Sequence, residues 1–175
     1  MRTKGTALFL DADGRMTLSS DMPLAETALV FVAVLWAGML AGVSFLATPV
    51  KFQAASLSLP VALEVGRVTF WTFSRVEWGL ALLLGVAALI PPVSRFVVAC
   101  VFLVASIVAA QALWLLPLLD ARVEAVIAGT SLPPSPHHLL YALAEAAKLL
   151  LLCVVAFSAL RGLWFAHRRS AVGSI

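Results

Sequence analysis

Polar and apolar positions in this chain separate on the scale of whole helices. Four apolar stretches, at about residues 24–48, 68–90, 93–118 and 138–160, are divided by short polar connections. A bilayer core of roughly 30 Å is crossed by about 20 helical residues, so each stretch is long enough to span it. The pattern predicts an all-α fold, a four-helix transmembrane bundle, over residues 24–165. Residues 1–23 are polar, mixed in charge and without helical periodicity, which predicts a disordered cytoplasmic tail, with Met16 or Met22 as alternative start sites. Residues 166–175 read as a basic cytoplasmic tail.

The boundaries carry local signals. Pro49 is expected to end or bend the first span, and Pro117 to kink the outer end of the third. Ser58 with Pro60, and Ser135 with Pro136, have the order of a helix cap followed by a first-turn proline. A helical extension is expected from Leu118 to Gly129. The second apolar run is clean only from Trp78, too short to span, so its hydrocarbon region must begin near Phe70 and take in Arg75 and Glu77. Within the first span, Gly38 and Gly42 form a G-x-x-x-G face beside Ala37, Ala41 and Ser44. Two uses fit it: packing of another helix of the same chain, or the seam of a homo-oligomer.

Composition agrees with a bilayer partner. The chain is 62% hydrophobic and 12% charged with mean hydropathy +1.04, far from soluble domains. Its net charge of +3 comes from basic residues clustered at span ends, which argues against nucleic acid as a partner. Arg2, Lys4, Arg15, Arg95, Arg161, Arg168 and Arg169 fall on the side of both termini, against Lys51, Arg67 and Arg122 on the other. That asymmetry predicts a multi-pass protein of the plasma (inner) membrane with both termini cytoplasmic. Trp71, Trp114 and Trp164 lie near span ends as an aromatic belt, whereas Trp36 lies mid-span as a packing residue.

Candidate chemistry is concentrated in the charged positions inside the spans. His137, His138, Tyr141, Glu145 and Lys148 share one face of the fourth span, within about 100° of arc. On the second span Glu64, Arg67, Trp71, Ser74, Arg75 and Trp78 share a face, with Trp71 placed for a cation–π contact, and Glu77 points to the side of it. Counted from the outer edge, Arg75, Glu77, Glu145 and Lys148 fall in one layer of the outer half of the membrane. A lone charge at such depth costs about 2.5–3.5 kcal/mol, so the four should face one another. The expectation is that spans two and four are neighbours, joined by Arg75–Glu145 and Glu77–Lys148 or the crossed pairing. Tyr141 and a histidine would add hydrogen bonds. Such a layer is either an ion network that fixes helix register or a polar site for proton, ion or small-solute coupling.

No cofactor is predicted from the main pattern; haem or metal is the alternative. Weak metal candidates are His137 with His138, and Cys100 with Cys153, which lie at similar depth on spans three and four. A Gly-rich phosphate loop, H-E-x-x-H, C-x-x-C and G-x-S-x-G are absent from the sequence, which argues against a familiar hydrolase, kinase or zinc enzyme.

Four segments together resemble a known family: LWAGMLAGVSFLATPVKF, GRVTFWTFSRVEW, LWLLPLLDAR and HHLLYALAEAAKLLLL. They are similar to small four-span bacterial membrane proteins sharing a domain of unknown function (domain of unknown function 4149), a family that includes animal transmembrane protein 205. The similarity covers roughly residues 28–160. It implies a four-span fold and no defined reaction; the animal member's link to metal-based drug resistance implies export or metal handling. This sequence departs from the animal protein in lacking its long polar loops. The residues and the resemblance together lead to a non-enzymatic membrane protein, transporter-like or stress-related, with the charged layer as its site. The alternatives are a membrane-embedded haem or metal redox protein, and a scaffold acting through the G-x-x-x-G face.

Overall fold

The computed structural model of the protein describes residues 8–10, 16–18, 22–90 and 93–172, with side chains over 24–90 and 93–165. Four helices dominate. The first, α1, runs as Met22–Leu40, widens to π-helical geometry over Ala41–Ala47 and closes with the α-turn Thr48–Lys51. The second, α2, is Leu59–Leu89. The third, α3, runs as Arg95–Ala110, widens over Gln111–Leu115 and continues as Leu116–Ile127. The fourth, α4, is His137–Val172. Each contains a segment long and apolar enough to cross a membrane, Leu24–Lys51, Leu59–Leu89, Arg95–Ile127 and His137–Phe165.

Local chemistry explains the ends and the irregular turns. Ser94 caps α3 by accepting from the Val97 amide at 3.3 Å, and Gly129, with φ of 83°, turns the chain after α3. Pro49, expected to end or bend α1, lies in its closing turn, two residues before the helix ends at Lys51. Both π stretches lead into a proline turn, Thr48–Pro49 and Leu116–Pro117. The i→i−5 spacing, seen where the Thr48 amide bonds Val43 O and the Leu116 amide bonds Gln111 O, makes room for a ring that can neither donate nor fit an α-ladder. The helices therefore run on past their prolines. Within the segment expected as a disordered tail, Leu8–Leu10 (β1) pairs antiparallel with Met16–Leu18 (β2), and the rest of residues 1–21 lies outside the described residues.

The core follows one stripe per helix. Ala25, Leu29, Ala33, Trp36 and Leu40 face inward from α1; Phe73, Leu80, Leu84 and Ala87 from α2; Val97, Val101, Val104 and Val108 from α3; Leu152, Val155 and Ala159 from α4. The outside is apolar as well, with Phe31, Leu82, Phe102, Leu113, Leu150 and Phe157 exposed. Apolar residues all round a helix suit a bilayer rather than water.

Around the bundle the order is α1, α2, α3, α4 and back to α1, each helix packed on its sequence neighbours and α1 on α4. α2 and α4 thus face each other across the diagonal. The expectation that they are adjacent is corrected here; short connections put consecutive helices side by side, which sends α2 and α4 to opposite corners. The G-x-x-x-G reading as packing within the chain is corrected too. Gly38 is exposed and Gly42 half-buried, and a Cβ added to either would meet nothing within 4 Å. The core stripe through Trp36 and Leu40 lies on the other side of α1.

Two ends of the bundle need names. The loop end carries the α1–α2 and α3–α4 connections; the terminal end carries the α2–α3 connection, the start of α1 and the end of α4. The main apolar cluster fills the terminal part, and a smaller one, Leu115, Leu116 and Tyr141 with Phe70, Trp71 and Leu119, fills the loop end. Between them is a layer that is not apolar.

Candidate functional site

That layer takes residues from all four helices because the core stripes pass through it. On α4 the stripe Leu152, Val155, Ala159 extends back through Lys148, Glu145 and Tyr141; on α2 the stripe Leu80, Leu84 extends back to Glu77; on α3 Val104, Val108 leads to Gln111. The side chains are enclosed: relative exposure is 0% for Lys148, 1% for Glu77 and Glu145, and 4% for Gln111.

Lys148 is the hub. Its ammonium bridges Glu77 Oε1 across the diagonal and Glu145 Oε1 one turn back on its own helix, the latter at 2.8 Å. Glu77 Oε1 also accepts from the Trp36 indole at 3.1 Å. Glu145 Oε1 accepts from Gln111 Nε2 at 2.9 Å, and Glu145 Oε2 from the Ser44 hydroxyl at 2.7 Å. The same Gln111 nitrogen reaches the Tyr141 carbonyl at 3.4 Å, while Gln111 Oε1 is buried with no hydrogen-bond partner. All but one of these bonds are accepted by a carboxyl group, and a hydrogen bond to an ionised carboxylate is shorter and stronger than a neutral one. The formal charge of the layer, with both carboxylates ionised, is one negative in excess.

Of the residues expected in this layer, Glu77, Glu145 and Lys148 meet and Arg75 does not. Arg75 is exposed, two residues and about 200° round α2 from Glu77, so the Arg75–Glu145 pair is absent and Ser44 and Gln111 hold Glu145 instead. Tyr141 is buried one turn from Glu145, its ring edge-on to Phe70 at 5.1 Å. The histidines stand apart. His138 is exposed, and His137 is half-buried with Nδ1 unpartnered. Cys100 faces the core and Cys153 the exterior, so the two do not share a site. Among the described residues no three His, Cys, Asp or Glu side chains gather as metal ligands; the side chain of His167 lies outside the described residues. Trp36, Ser44 and Gln111 are the members that sequence reasoning did not assign to the site. An indole in mid-span needs an acceptor, and a lone amide in an apolar run needs partners, so Trp36 and Gln111 were visible signals.

Above the layer, at the loop end, a cavity of about 100 Å³ opens between all four helices. Phe70, Trp71 and Tyr141 form apolar walls, and Lys51, Arg67, Asp120 and His138 supply its polar groups. Arg67 Nε stands 3.6 Å from Asp120 Oδ1, with both side chains about 30% exposed. Arg67 turns to this carboxylate rather than over Trp71. Asp120 is turned inward because the π stretch Gln111–Leu115 shifts the α3 stripe by about one residue.

No family model, no curated protein and no solved structure matches the chain.

Proposed function

We propose that the chain is a multi-pass membrane protein, transporter-like, in which the Glu77–Lys148–Glu145 layer binds one exchangeable proton. The observation that carries this reading is the charge count of an enclosed site: two carboxylates share one ammonium, and one added proton makes the layer neutral. Neutrality matters at that depth, where an uncompensated charge costs about 2.5–3.5 kcal/mol. Gln111 supports the reading: its Nε2 donates to Glu145 Oε1 at 2.9 Å, and its own oxygen is a buried acceptor with no hydrogen-bond partner. The cavity at the loop end reaches Tyr141, one turn from Glu145, and offers access from that side. The excess of Arg and Lys at the terminal end supports cytoplasmic termini in a plasma (inner) membrane, which would open the cavity to the outside.

Proteoliposomes with a trapped pH dye test the reading. An imposed proton gradient or potential should drive lumenal pH change with the wild type and not with Glu145→Gln or Glu77→Gln. Equal rates in all three, at equal incorporation, contradict it.

A second reading is favoured by the completeness of the enclosure. Lys148 ties α4 to α2, Trp36 ties α1 to α2, and Ser44 and Gln111 tie α1 and α3 to α4, which is the form of a lock on helix register. Under that reading Glu77, Glu145 and Lys148 could all be replaced by Leu or Met with stability kept and no activity lost.

A further inference from the structure

The loop-end cavity contains a charge that nothing balances. Lys51 is half-buried at the cavity, and among the described residues no carboxylate comes within ion-pair distance of it. Asp120, the one acid in the lining, is ion-paired with Arg67 at 3.6 Å, beyond hydrogen-bond distance, and its Oδ1 is buried with no hydrogen-bond donor. The Lys51 ammonium rests instead on the backbone face of Gly66 in α2, in the place a Cβ would fill, with the Phe52 ring at 5.0 Å. Ammonium, glycine floor and aromatic walls make a compact site with one positive charge to spare.

We infer that this cavity binds a small monoanion, a carboxylate or phosphate on a short apolar body, with its charge at Lys51 and its body against Phe70, Trp71 and Tyr141. The chemistry follows from the lining. A half-buried ammonium lacking a counter-ion gains most from an anion, because charge-assisted hydrogen bonds strengthen where water is partly excluded. The volume of about 100 Å³ limits the buried body to no more than about one benzene ring, since an apolar cavity of about 150 Å³ binds benzene. The anion could be a free solute or the headgroup of a lipid at the same level, toward which a terminal lysine ordinarily reaches. Occupancy of this site requires no proton movement in the layer below, so it stands or falls separately from the transport reading.

Calorimetric titration of benzoate and of its neutral isostere benzamide into the full-length protein tests this, in nanodiscs of phosphatidylcholine alone. The expected result is saturable benzoate binding, with benzamide at least tenfold weaker. Lys51→Gln should weaken benzoate at least tenfold and Lys51→Arg should restore most of it. Gly66→Ala should weaken it too, because the added methyl displaces only the flexible lysine tip and leaves the fold intact, which a thermal melt checks. No saturable benzoate binding, equal binding of benzamide, or full binding by folded Lys51→Gln overturns the inference. Repeating the titration with phosphatidylglycerol in the discs identifies the source. Weaker benzoate binding in those discs than in phosphatidylcholine alone assigns the site to an anionic headgroup, and unchanged benzoate affinity assigns it to a free solute.

Discussion

Two ion-paired regions lie a few turns apart in this bundle and differ in nearly everything but their residue types. In the layer, Lys148 holds two carboxylates at almost zero exposure, with Trp36, Ser44 and Gln111 filling further acceptor positions. At the loop end, Arg67 and Asp120 are 3.6 Å apart and about a third exposed, and the nearby Lys51 has no acid. Exposure decides what each is worth. A screened pair contributes about 0–1 kcal/mol, whereas breaking an enclosed one by removing a single partner costs about 3–5 kcal/mol. The enclosed region ties residues of all four helices together and has one negative charge in formal excess, whereas the open region contains an ammonium without a paired acid.

Substitutions can break that contrast, beginning with its hub. Lys148→Met leaves two enclosed carboxylates facing each other and should destabilise the protein by about 3–5 kcal/mol, read from reversible unfolding in mixed micelles. Adding Glu77→Gln and Glu145→Gln to that variant should recover most of the loss; a triple variant as unstable as the single one would contradict the pairing. Glu145→Gln alone keeps one carboxylate and one ammonium, so the loss should be smaller, about 1–3 kcal/mol, from the hydrogen bonds of Ser44 and Gln111. Trp36→Phe removes one donor to Glu77 and should cost about 1 kcal/mol beyond any packing change, with Glu77→Gln abolishing the difference in a double-mutant cycle. Arg67→Gln or Asp120→Asn should change stability by less than about 1 kcal/mol, and less still at high salt. Arg75→Gln should leave the melting curve unmoved, because its side chain is outside the network.

Much of this arrangement is legible in the sequence, and what is not has separate physical causes. The spacing of Tyr141, Glu145 and Lys148 places them on one stripe, and counting depth from the span edge brings Glu77 level with Lys148. Depth fixes height but not azimuth. Arg75 has the right height and the wrong azimuth, and the apolar positions Leu80 and Leu84 already distinguish Glu77 as the inward residue. Adjacency of α2 and α4 follows only if paired charges must meet across a helix–helix contact. A lysine side chain is long enough to reach across a diagonal, so pairing and adjacency are separate questions. The π turns are hidden for a different reason. Their cause, a proline just beyond each stretch, is visible, but a bend, a stop and a widened turn all satisfy the same missing donor.

The central claim is that the layer carries one proton among two carboxylates, and infrared spectroscopy of the protein in lipid, titrated in pH, tests it directly. The measured quantity is the protonated-carboxyl carbonyl band in wild type minus variant. The account predicts one such carboxyl in the wild type, none from the layer in Glu77→Gln or Glu145→Gln, and two in Lys148→Met. A wild-type spectrum with no difference from either glutamine variant at any pH would contradict it.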